Sequence, residues 1–226
     1  MAEHYGVVPK KFTKEWWPYF WMYYKWHTIG IAFALMLIII TAVQCATSEK
    51  YDVVVNYIGK TYFAPEAAEE FQAALEPLIE DVDGNGENNV FFQQLTLSST
   101  SGAEEMDYAL QVKHDLALSD DTSYLYLYDK DEAELMLARD SSDDVYLPLD
   151  EWCDAAVLEA AEEKGAVLYS ESGALLAVLA QGSELLEGLG MDTSDIYIAI
   201  RKNYSDEEIN LAAYRSAEAM ADAILK

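Results

Sequence analysis

An α/β domain held behind one membrane-crossing helix is what this 226-residue sequence predicts. Three observations lead there. Residues 28–47 form an uncharged apolar run, the remainder alternates β-branched runs with helix-spaced segments, and the balance of charge changes sign at the apolar run.

The run TIGIAFALMLIIITAVQCAT is long enough to cross a hydrocarbon core of roughly 30 Å at ~1.5 Å per helical residue. Lys10, Lys11, Lys14 and Lys25 all precede it. Cytoplasmic flanks accumulate lysine and arginine, so residues 1–27 are expected inside and residues 48–226 outside the cell. Between the lysines lies WWPYFWMYYKWH, in which Trp16, Trp17, Trp21 and Trp26 are expected to anchor the chain at the inner headgroup layer. The charged region before the run is long for a cleaved signal, which favours a retained anchor. Ala42, Val43, Gln44 and Cys45 resemble a bacterial lipoprotein box, but Gln44 stands where a small residue is expected.

From residue 28 onward, ten Lys and Arg face thirty-nine Asp and Glu, a net of −29, while residues 1–27 carry +2, giving the overall −27. Such acidity excludes nucleic acid and anionic lipid as partners and suits cations or basic surfaces. The two cysteines, Cys45 and Cys153, supply no disulfide framework, and Cys153 reads as a buried small residue.

The elements follow in order. YDVVVNYIG is a β-branched first strand ending in glycine. Pro65 opens a helix with Ala67, Phe71, Leu75, Leu78 and Ile79 at helical spacing, and Pro77 bends or ends it. VFFQQLTLSS is a second strand, and residues 103–118 form a helix with Met106, Leu110 and His114 on one side. Ser123–Asp129, SYLYLYD, is a third strand buried on one face or both, followed by the short helix DEAELMLA. Residues 150–163 read as helical, and AVLYS and ALLAVLA as strands separated by the turn ESG. Ser183 caps SELLEGLG and Gly190 stops it. DIYIAIR is a further strand, and Ser205 with Glu208 predicts a capping box for a last helix carrying Ile209, Ala213, Ser216, Met220 and Ile224 on one face. This alternation predicts one three-layer domain with a mostly parallel sheet, beginning within a few residues of the membrane.

Two places have the residue types of a site. In DVDGNGENN, Asp81, Asp83 and Asn85 alternate before Gly86 as in a calcium loop, and Glu87 partly compensates for Phe92, which stands where the bidentate acid belongs. Calcium is the one cofactor this sequence suggests; an ordinary polar turn accounts for the same residues. Tyr124, Tyr126, Tyr128 and Tyr146, with Trp152, form the richest aromatic region outside the membrane, suited to a sugar or organic cation and equally to core packing. No HExxH, GxSxG or glycine-rich phosphate loop occurs, so no enzyme is expected.

The segments SYLYLYDKDEAELMLA, VYLPLDEW, AVLYSESGALLAVLAQGSELLEGLG and DIYIAIRKN fall in an order that resembles one lobe of the extracellular solute-binding proteins of bacterial ABC importers. The resemblance covers most of residues 51–226 and implies a single periplasmic-binding-protein-like lobe. That family closes two lobes on its ligand, whereas this chain has length for about one. A truncated lobe on an uncleaved helix is similar to uncharacterised membrane proteins of Gram-positive bacteria. No ligand residue carries over. The expected function is therefore a membrane-anchored, non-enzymatic extracellular module that binds a membrane or cell-surface protein. The alternatives are a substrate-binding importer component and a calcium-stabilised structural module.

Overall fold

A computed structural model describes residues 9–47, 51–97, 104–188 and 191–226, apart from the side chains of 45–47 and 104–106. The expectations placed on Cys45, Met106 and Gly190 fall outside that description.

Helix α1 runs from Trp16–Thr47, and its stretch Trp16–Gln44 is long and apolar enough to cross a membrane. The aromatic segment, expected as a separate surface element, forms the first three turns of this same helix. Pro18 is tolerated there because first-turn N–H groups lack helical partners. Ring stacking at i, i+4 spacing reinforces those turns, with Trp16 to Phe20 at 4.8 Å and Phe20 to Tyr24 at 5.6 Å. The hydroxyls of Thr28 and Thr41 donate to the carbonyls of Tyr24 and Leu37, which spares the apolar helix two unsatisfied donors.

Residues Lys50–Lys226 form a second compact unit. Its sheet comprises β1 (Val53–Gly59), β2 (Val90–Thr96), β3 (Leu125–Asp129), β4 (Val167–Tyr169), β5 (Leu175–Leu179) and β6 (Ile196–Ile200), in the order β2-β1-β3-β6-β5-β4. The first three strands are parallel, joined through α2 (Pro65–Leu75) and α3 (Glu104–Ala117). The other pairings are antiparallel, so the sheet is mixed rather than mostly parallel. One cause is local. Between β4 and β5 the Ser170 N–H donates to the Ala174 carbonyl, and Gly173, at φ 89°, turns the chain straight back. The other is that β6 enters between β3 and β5 against the direction of both.

Strict alternation along the strands builds two cores. Val53, Val55, Tyr57, Leu125, Leu127, Ile196, Ile198 and Ile200 face one way, against Phe71 and Leu75 of α2 and Ala213, Ala217 and Met220 of the last helix, α9 (Glu208–Leu225). Ile58, Tyr126, Tyr128, Tyr197 and Ala199 face the other way, against Ala133, Met136 and Leu137 of α4 (Lys130–Leu137). The short helices are α5 (Ser142–Val145), α6 (Leu149–Trp152), α7 (Ala155–Glu163) and α8 (Glu184–Gly188).

Local signals hold at most helix ends. Pro65 is the first residue of α2, and Pro77 sits in a 3-10 turn, Glu76–Leu78, that terminates it. Ser183 Oγ accepts from the Leu186 N–H and caps α8. The helix expected over 150–163 is two, because Cys153 leaves helical geometry and Asp154 caps α7 by accepting from Ala156 N–H at 2.9 Å. The capping box does not form. Ser205 Oγ instead accepts from Glu207 N–H, α9 starts at Glu208, and Asn210 takes the buried position while Ile209 is 45% exposed.

Candidate functional site

The acidic loop leaves the 3-10 turn after α2 and leads into β2. Asp81 accepts from the N–H groups of Gly84, Asn85 and Gly86, Asp83 from Asn85, and Asn85 from Glu87. Gly84 and Gly86 hold positive φ of 72° and 88°, which lets successive N–H groups turn inward. The structure adds one residue that the sequence reading missed. Asp52, buried just ahead of β1, accepts from Val82 N–H, Asp83 N–H and Asn89 N–H at 2.8, 3.1 and 2.8 Å. Its carboxylate and those of Asp81 and Asp83 offer oxygens within 4.8 Å of one another, a donor set suited to a hard cation. Asp52 thus supplies an acid where Phe92, a core residue of β2, supplies none. Glu87 lies outside this group of three. Only the pairing register of β1 with β2, Val53 opposite Val90, brings Asp52 to the loop, and no local spacing signals it.

The aromatic residues do not line one pocket. Tyr126, Tyr128 and Tyr146 lie buried on the α4 side of the sheet, Tyr124 is buried on the α9 side, and half-buried Trp152 packs against that second core. Their hydroxyls bond within the protein. Tyr128 Oη lies 2.7 Å from Tyr146 Oη and 2.8 Å from His114 Nε2, and Tyr126 Oη lies 3.2 Å from Ser123 Oγ. Burial raises the phenol pKa of all three. Burial also lowers the His114 imidazole to about 4, with Asp115 opposing and Arg139 adding to the effect. Tyr124 donates to Asn203 Oδ1 while the Arg201 guanidinium covers its ring at 4.4 Å. Cys153 is half-buried, and burial pushes its thiol pKa up.

At the carboxyl ends of β1 and β3 the chain leaves the sheet in opposite directions, toward β2 and toward β6, which in open α/β sheets is where a crevice forms. Buried Asp129 fills that place. It accepts from Tyr57 Oη at 2.7 Å and Lys60 N–H at 2.6 Å, and Tyr57 Oη accepts in turn from Thr61 N–H at 3.0 Å. Lys60 Nζ pairs with Asp131 at 2.5 Å. Glu132 Oε2, close by, is buried without a hydrogen-bond partner among the described residues, and burial raises that carboxyl's pKa.

Helix α3 carries the most unusual surface. Leu110, His114 and Ala117 turn inward, as the helical spacing requires. On the opposite face Tyr108, Val112 and Leu116, again at i, i+4, are 69%, 41% and 68% exposed. Beside this stripe a groove of about 380 Å³ runs between α3 and the start of β1 and β2. Leu116, Val54 and the stacked rings of Tyr51 and Phe91, with centroids 4.7 Å apart, form its walls. Gln93 lies in the groove and donates to buried Asn56, while Lys113 and Asp120 stand along its length.

No family model, curated protein or solved structure matches this chain.

Proposed function

We propose that this chain is a membrane-tethered module that binds a membrane or cell-surface protein without catalysing a reaction. In this reading α1 crosses the bilayer with Lys10, Lys11, Lys14 and Lys25 on the cytoplasmic side, and the acidic α/β domain, one solute-binding-type lobe, works outside the cell. The observation that carries it is the apolar stripe of Tyr108, Val112 and Leu116. A helix packed on a sheet ordinarily turns polar residues outward, and a run of exposed apolar side chains beside a groove is the mark of a docking surface. The one histidine near the sheet, His114, is buried in hydrogen bonds rather than poised for proton transfer. A photo-crosslinking residue at position 116, in the native membrane, is expected to capture a discrete protein, and one at exposed Glu159 of α7 is not. Equal yields at both positions would refute the docking surface, and labelling of Cys153 only from the cytoplasmic side would refute the orientation.

A second reading, a calcium-stabilised surface module, is favoured by the position of Asp52 beside Asp81 and Asp83. Millimolar calcium should then raise the melting temperature of residues 50–226, and Asp81→Ala with Asp83→Ala should abolish the rise. Because backbone N–H groups already offset all three carboxylates, an unchanged melting temperature would leave the loop as a self-sufficient turn.

A further inference from the structure

The groove beside α3 has walls and charges that narrow its occupant. We infer that it takes a basic amphipathic helix of a partner protein, an inference that rests on α3 being the docking face. The centre of the surface is apolar: Val112 and Leu116 on the helix, with Val54 and the Tyr51–Phe91 pair on the sheet side. An amphipathic helix presents such a surface with side chains at i, i+3 and i+4, and grooves of this kind receive it. Around that centre stand one base and two acids, Lys113 with Asp120 and Asp121, so the local excess is acidic by one charge and the domain's own excess adds to it. Asp120 lies in the groove and exposed Asp121 follows it, in a chain that carries −29 from residue 28 onward. This complementarity selects the occupant's rim. A second copy brings the same excess of acid to the contact, and an anionic bilayer is repelled, whereas lysines and arginines flanking an apolar face meet opposite charge. Aromatic rings in the wall favour the same cations through their faces.

Residues 50–226 suit the test because both cores are built from that unit's own side chains. The probe is a fluorescent 18-residue leucine–lysine peptide with leucines at helical spacing, set against an isomer of identical composition in which leucine and lysine alternate. The helical peptide should bind at least ten-fold more tightly than the alternating one. Leu116→Gln should weaken it ten-fold or more while leaving the melting temperature unchanged, and Asp120→Asn with Asp121→Asn should weaken it several-fold and flatten its salt dependence. Equal affinity for the two isomers, or indifference to Leu116→Gln, overturns the inference, since attraction would then be diffuse charge. Leu116-dependent binding to phosphatidylcholine vesicles without binding of the peptide also overturns it and makes the surface a lipid contact. If the peptide fails while position 116 still crosslinks a protein in the membrane, the docking face stands and only the chemistry assigned to its partner falls.

Discussion

The carboxylate of Asp129 occupies the space that a side chain at position 59 would fill. A Cβ built on Gly59 meets Asp129 Cγ and Tyr57 Oη far inside van der Waals contact. The close approach is a consequence of the parallel pairing of β1 with β3, which runs as far as Ile58 opposite Tyr128 and sets the next residues side by side.

Gly59→Ala should therefore destabilise the domain. Neither neighbour is the free end of a flexible chain, because Tyr57 and Asp129 hold each other at 2.7 Å. Overpacking of this kind costs about 1–3 kcal/mol. A lower denaturant midpoint at unchanged m-value is the expected result.

Tyr57→Phe removes one oxygen and strands two groups, Asp129 Oδ1 and the Thr61 N–H. Leaving the buried Asp129 oxygen unpaired costs roughly 1–3 kcal/mol, and the Thr61 N–H turns to solvent. Chemical denaturation should show that loss, and amide exchange at Thr61 should accelerate.

Acid should destabilise the domain through His114. Its folded pKa is about 4, against about 6.5 for an unfolded histidine. Between those values the unfolded chain binds the proton and the folded one does not, so stability falls as pH drops from about 6.5 to about 4. The loss is on the order of 3 kcal/mol when complete. His114→Gln should flatten the pH dependence of the melting temperature across that window, a comparison of slopes that holds even if the variant starts less stable.

Asp52→Ala should be the most damaging change in the acidic loop. It deprives three N–H groups of their acceptor, those of Val82, Asp83 and Asn89, in a buried place. Asp83→Ala removes one of the two acceptors of the Asn85 N–H, in an exposed place, and Asp81 remains as the other. The first should lower stability by about 2–4 kcal/mol and the second by about 1 kcal/mol or less. Thermal melts in chelator separate this effect from any contribution of calcium.

The parts of the fold legible in the sequence are those decided by near neighbours. Pro65 marks the start of α2, Ser183 that of α8, and the alternation in SYLYLYD places leucines and tyrosines in opposite cores. The direction of β6 was not legible, because a strand buried on both faces has the same apolar run whether its neighbours are parallel or antiparallel. Ser205 and Glu208 have the spacing of a capping box, yet Asn203 Oδ1 accepts from Ser205 N–H and holds that stretch in a turn until Glu207. The tyrosines suggested a pocket by their number, whereas their phenols found partners within the protein, Tyr128 with Tyr146 and Tyr124 with Asn203 far along the chain and Tyr126 with nearby Ser123. The exposed apolar stripe of α3 was hidden for a related reason. Tyr108, Val112 and Leu116 are apolar like Leu110, and only the packing of α3 shows which side is covered.

The place of β6 has a consequence for how the molecule is made. It stands between β3 and β5 and hydrogen-bonds to both, and so joins the parallel half of the sheet to the β4–β5 hairpin. Five strands must leave the ribosome before the strand that joins them does, and α9, which closes one core, comes later still. Until β6 is in place, β3 and β5 each present an open edge. Completion of the sheet waits on β6, and a chaperone that shields those edges would act on this stage rather than on the finished protein.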